Sequence, residues 1–186
     1  MPRYLALLRG INVGGRNKVA MADLRDLATA LGLADATTYI QSGNLLFSCA
    51  EADTAELADL LESEIASRMG VRPAVVVLSR DDLKQVIADN PYTGETNPKC
   101  LHAVFRRDEI DPDGIAAVAA AVQRVRDTGS RDDATIIGRT LFLHTPDGFG
   151  RSELAVRLSN AKAQAAGTAR NWATVTKLMG MLDVAS

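Results

Sequence analysis

The chain has two cysteines in 186 residues, Cys49 and Cys100, too few and too far apart for a zinc ligand set or a disulfide framework. A reducing cytoplasm follows as the simpler expectation, with no metal site and no cofactor. Aromatic residues make up 4% of the chain, which disfavours a surface that stacks nucleic-acid bases. No overall basic field exists either, because 21 cations are set against 23 acids. The opening apolar run, "MPRYLALLRG", breaks at once into polar glycine-rich sequence, too short for a signal-peptide core or a membrane span. A cytoplasmic protein without a membrane partner is expected.

What is present is unevenly distributed. Residues 1–20 hold Arg3, Arg9, Arg16 and Lys18 and no acid. Residues 151–186 hold five cations and two acids, so the middle of the chain carries a balance near -9 and anions are drawn to the two ends. With 47% hydrophobic residues, the chain can bury about 70% of its unfolded surface, enough for one domain or two small ones.

Hydrophobic periodicity gives an order of elements that nearly repeats. "RYLALLR" reads as a strand, "MADLRDLATALGL" as an amphipathic helix through Leu24, Leu27 and Leu31, and "TTYIQS" with "NLLFSC" as two strands about Gly43. "TAELADLLESEIASRMG" follows as a helix ending at a glycine, then "RPAVVVL" as a strand. "SRDDLKQVIADN" opens with a capping-box pattern. The second half reads "LHAVFR" strand, "DPDGIAAVAAAVQRV" helix, the hairpin "DATIIG" and "TLFLHT", and the helix "RSELAVRLSNAKAQA". A last helix, "RNWATVTKLMGML", stands where a final strand is due.

The predicted fold is α+β: two ferredoxin-like (βαββαβ-type) halves, the second lacking its last strand and ending in helices. The halves are taken as residues 1–79, with the polar Gly-rich loop, and 80–186, with the C-terminal helices. "LALL", "NLLF" and "AVVVL" are apolar at successive positions. Both faces of the first sheet are therefore expected to be covered, the second by the other half or a second subunit. The segment "TARNWATVTKL" is expected to dock through Trp172 and the stripe Val175, Leu178, Met179 and Leu182.

This topology places the ends of strands 1 and 2 together, so the "RGINVGG" loop and the "QSGN" hairpin converge, with the turn at Arg72 beside them. Gly10, Gly14 and Gly15 allow close backbone approach, Arg9, Arg16 and Lys18 supply charge, and Asn12, Gln41, Ser42 and Asn44 supply polar groups. The candidate ligand-binding set is Arg9, Asn12, Gly14, Gly15, Lys18, Gln41, Ser42 and Asn44, for a phosphorylated or otherwise anionic small molecule. Gly10 and Gly15 have P-loop spacing, but Arg16 and Asn17 replace the Lys and Ser or Thr of a Walker motif. A purely structural loop, and a protein-interaction or nucleic-acid-binding module without catalytic activity, stay open as alternatives. Nucleic acid is disfavoured as a partner, and no oligomeric state is assigned.

No pattern singles out catalytic residues. His102 and His144 lie on adjacent antiparallel strands where the two imidazoles are placed near each other, yet no carboxylate or cysteine is tied to them by motif. Ser42 lacks the strand-to-helix elbow of a hydrolase nucleophile.

"LLRGINVGG", "TYIQSGNLLF", "GFGRSEL" and "TARNWATVTKL" together closely resemble the uncharacterised bacterial family known as domain of unknown function 1697. The resemblance covers nearly the whole chain through four ordered motifs. It implies a two-lobed α+β fold of ferredoxin-like type and brings no established activity. The positions it marks are residues 9–15, 38–44, 150–154 and 170–174. Glu153 departs toward acid where similar sequences are more basic, which weakens an anion-binding role for that turn.

Overall fold

The central strand of the first sheet, β1 (Arg3–Leu8), hydrogen-bonds on both sides to antiparallel partners, and this fixes the arrangement around it. The computed structural model describes residues 1–50, 52–159 and 167–184. They form two compact units, Met1–Gln85 with Leu178–Ser186, and Val86–Lys177.

In the first unit β1 is followed by α1 (Met21–Ala30), β2 (Ala34–Tyr39), β3 (Asn44–Ser48), α2 (Thr54–Met69) and β4 (Val75–Ser79). The sheet order is β2-β3-β1-β4, the split arrangement in which β3 lies between two parallel strands. Leu8, Leu45 and Val75 alternate with their neighbours to meet Leu24 and Leu27 of α1 and Leu57, Leu61 and Ile65 of α2. The other face carries Leu5, Leu7, Leu46 and Val76, and these are buried too. Both faces are thus apolar, which is why these strands show runs instead of alternation.

Local signals set the helix limits. The Asp53 carboxylate accepts from the Ala55 and Glu56 N–H groups at the start of α2, and Gly70, left-handed at φ 68°, ends it. Helix α3 (Arg80–Ala88) has the predicted capping box: the Asp82 N–H donates to Ser79 Oγ while the Ser79 N–H donates to Asp82 Oδ2.

The second unit repeats the order with β5 (Leu101–Phe105), α4 (Pro112–Asp127), β6 (Asp133–Ile137), β7 (Thr140–His144), α5 (Glu153–Ser159) and β8 (Thr168–Asn171). Its sheet order, β6-β7-β5-β8, matches the first. Here the sequence reading needs correction: the last strand is not missing. Thr168 to Asn171 pair antiparallel with β5, and α6 (Trp172–Asp183) follows the strand instead of replacing it. The strand is four residues long and turns Thr168 and Arg170 inward, so it lacks the apolar alternation that marks a strand in sequence. The Asn171 side chain accepts from the Thr174 N–H and caps α6. Of the predicted helix 151–165, residues 160–165 lie outside the described residues.

The C-terminal segment docks. Val175, Leu178 and Leu182 are buried, and Trp172 packs against Phe142. Within the first unit, Arg3 Nη1 donates to the Met181 carbonyl at 2.7 Å and Arg80 pairs with Asp183. Deleting residues 168–186 removes a sheet strand and these apolar side chains. The shortened protein is expected to lose cooperative thermal unfolding, and an unchanged melting curve would disprove docking.

Gly43 is a glycine that the fold cannot readily replace. It has φ 78°, and a Cβ there would lie 2.8 Å from both Leu8 Cβ and Ile11 Cδ1. Its carbonyl also accepts from the Leu8 N–H. Gly43→Ala combines left-handed strain with a core clash, and is expected to cost about 2–4 kcal/mol in denaturant unfolding.

Candidate functional site

The loop after β1 folds into a miniature hairpin. The Arg16 N–H donates to the Val13 carbonyl and the Asn12 N–H to the Asn17 carbonyl, each at 3.0 Å. Gly14 and Gly15, at φ 57° and 76°, form its tip, the left-handed pair that a type I′ turn requires. The glycines that resemble a phosphate cradle in sequence are therefore the tip of an exposed turn. No acceptor is found for their N–H groups among the described residues.

Asn12 holds this hairpin in place. Itself left-handed at φ 55°, it accepts from the Val19 N–H through Oδ1 at 2.9 Å. Its Nδ2 donates to the Val19 carbonyl at 2.9 Å and to the Gln41 carbonyl at 3.0 Å. The convergence of the two loops expected from topology is thus present as a hydrogen bond. Asn17 Nδ2 donates to the Gly10 carbonyl and closes the base. Asn44 is fully buried, with Nδ2 donating to the Tyr39 carbonyl at 2.9 Å and to Ser42 Oγ at 3.0 Å. The candidate residues consequently separate into two groups. Asn12, Ser42 and Asn44 shape backbone, whereas Lys18, Gly14, Gly15 and the Gln41 side chain are exposed and Arg9 is half-buried.

The cations of this loop are placed differently from several arginines elsewhere in the chain. Arg68, Arg80, Arg126, Arg131 and Arg157 each pair with a carboxylate. Arg9, Arg16 and Lys18 have no ion pair among the described residues, and the first acid in the chain is Asp23. The Arg9 N–H donates to the Ala74 carbonyl at 2.9 Å, which brings the turn bearing Arg72 to the same sheet end. Helix α1 starts there without a side-chain cap, leaving its positive end uncovered, although Asp23 in the first turn offsets part of it.

Other candidates prove structural. In the "GFGRSEL" motif, Ser152 Oγ accepts from the Ala155 N–H at 2.8 Å and donates to the buried Asp132 carboxylate at 2.7 Å, so the motif starts α5. Glu153 pairs with Arg157 one turn along. Tyr4 and Phe47 stack on each other in the core, so the first unit offers no aromatic platform on these strands. Burial raises the thiol pKa of both Cys49 and Cys100, away from reactive thiolates. No group of three potential metal ligands occurs among the described residues.

The two histidines do not meet. Leu101 is opposite His144 and His102 opposite Leu143, so the register sends the imidazoles to opposite faces of the sheet. His144 has a carboxylate that the sequence did not reveal: its Nε2 lies 2.7 Å from Glu95 Oε2, while its ring stacks on Tyr92. This hydrogen bond lowers the Glu95 pKa. The same carboxylate accepts from the Asn97 N–H, so the pair anchors the loop that enters β5. Glu95 precedes its partner by 49 residues inside an irregular loop, and no spacing rule connects them.

His102 packs on Phe149 with its Nδ1 buried and without a partner among the described residues, and burial depresses its pKa from 6.5 to about 4. Between those values the unfolded chain binds the proton and the folded one does not, so stability falls as pH drops from about 6.5 toward 4. His102→Leu removes this linkage. Its melting temperature is expected to fall less than the parent's between pH 7 and 4.5, and parallel profiles would refute the assignment.

Among curated proteins none matches the chain. One solved structure, described as that of the conserved bacterial protein SP0830 from Streptococcus pneumoniae, superposes with a TM-score of 0.75 at 27% identity, over 97% of this chain and 98% of that one. The family model described as protein of unknown function (DUF1697) matches residues 1–142, and with that span covered the chain belongs to this family.

Proposed function

We propose that the sheet end bearing the 9–18 hairpin binds a phosphorylated or otherwise anionic small molecule. The observation that supports this most is the set of cations without ion pairs among the described residues, Arg9, Arg16 and Lys18, on a loop whose shape Asn12 fixes. The N–H groups of Gly14 and Gly15 and the uncapped start of α1 add donors and a partial positive charge. In this reading the side-chain amides bonded to backbone give the site its geometry and the cations give it affinity.

Magnitudes set the kind of ligand. Charge-assisted hydrogen bonds contribute about 1.5–3 kcal/mol each when partly desolvated, and less on an open surface. A few such contacts, less the cost of association, correspond to dissociation constants on the order of 10 µM to 1 mM. Binding should weaken steeply with added salt, since these groups are within reach of screening ions.

A thermal-shift screen with nucleotides, sugar phosphates and simple oxyanions identifies ligands for titration. Arg9→Ala combined with Lys18→Ala is expected to weaken the best of them at least about tenfold, with a melting temperature near the parent's. Asn44→Ala behaves in the opposite manner. It leaves the part-buried Tyr39 carbonyl without this donor and is expected to lower stability by about 1–3 kcal/mol. Undiminished affinity in the doubly substituted protein, for every anion the parent binds, would refute the proposal.

A further inference from the structure

Two large aliphatic side chains stand in the solvent beside the cations. Val13 is 66% exposed and Ile40 is 50% exposed, on two loops that are otherwise polar. They are neighbours of the residues that link those loops: Asn12 precedes Val13, Gln41 follows Ile40, and the Asn12 side chain donates to the Gln41 carbonyl at 3.0 Å. Ile40 is also left-handed, at φ 49°, a conformation that β-branched residues rarely adopt and that glycine or asparagine takes readily. Neither burial nor backbone preference explains an isoleucine at this position.

From this we infer that the anion bound at the sheet end carries an apolar group, which lies against Val13 and Ile40 while Arg9, Arg16 and Lys18 hold its charge. The inference rests on the anion-binding reading above and narrows it to amphiphilic ligands, such as organic phosphates with an aromatic or aliphatic substituent. Charge complementarity selects the class: an apolar neutral molecule would leave three unpaired cations at its edge, and a small inorganic anion would leave the two aliphatic side chains uncovered.

The test compares inorganic phosphate with phenyl phosphate by ¹H–¹⁵N chemical-shift titration of the full chain. Phenyl phosphate is expected to bind about tenfold more tightly, the gain from burying roughly 60 Å² of apolar surface, and to shift the amides of both loops. Val13→Ser with Ile40→Asn should abolish that preference, leave phosphate affinity unchanged and not lower the melting temperature, because asparagine tolerates the left-handed conformation. Should the double substitution disturb folding, Val13→Ser alone, at an exposed position, is expected to reduce the preference about threefold. Equal affinities of the parent for both probes, or an undiminished preference in the folded variant, overturn the inference while leaving the anion reading intact. If neither probe binds, this inference falls, and the anion reading is decided by the wider screen. Co-sedimentation with phosphatidylglycerol vesicles that depends on Val13 and Ile40 would assign the surface to a bilayer and overturn the small-molecule occupant.

Discussion

The geometry of the candidate site depends on a single amide. Asn12 accepts from one backbone N–H and donates to two carbonyls, and those partners belong to the approach to α1 and to the β2–β3 hairpin. A side chain with one carbonyl and one NH₂ group can make this set of bonds, whereas a carboxylate could accept but not donate, and an ammonium could donate but not accept. Its left-handed backbone, tolerated best by glycine and asparagine, puts the side chain back over its own loop. The hairpin tip, the exposed cations and the distance between the two loops are all set from this residue.

The sheet supplies the other constraint. Because β1 is central and antiparallel to both β3 and β4, the end of β1 meets the beginnings of β3 and β4, and three connections crowd together at one end. Gly43 shows how tight this is, since a Cβ would strike the side chains of Leu8 and Ile11. The second unit has the same strand order but uses the corresponding region differently: the turn after β5 leads to Asp111, whose carboxylate caps α4. A repeated fold thus carries unequal loops, and fold alone does not assign function to either.

Much of this was legible from residue pattern. Successive apolar residues in "LALL" and "VVVL" indicate strands covered on both sides, and Ser79 with Asp82 marks a helix start through short-range hydrogen bonds that sequence spacing encodes. Loop convergence was legible too, because it follows from topology. Strand β8 was not: its buried residues include Thr168 and Arg170, and polar inward positions look the same as a loop until their neighbours are known. The Glu95–His144 pair was hidden for a related reason, since its partners meet through tertiary packing. In the candidate site, residue type indicated polarity correctly but could not separate Asn44, buried and bonded to backbone, from Lys18, exposed.

That separation bears on how such a surface can evolve and be read. An amide that fixes backbone is costly to lose, because its removal leaves carbonyls without a donor. An exposed arginine or lysine contributes little to folding, so its presence without an acid nearby needs another explanation or none. Isolated surface cations usually need none. Three in one ten-residue loop, with no acid before Asp23, on a hairpin whose glycines, amides and left-handed residues all hold it in one shape, are harder to attribute to chance. Order without burial is the physical feature here: side-chain amides and turn hydrogen bonds shape the loop, while Arg16 and Lys18 stay in solvent.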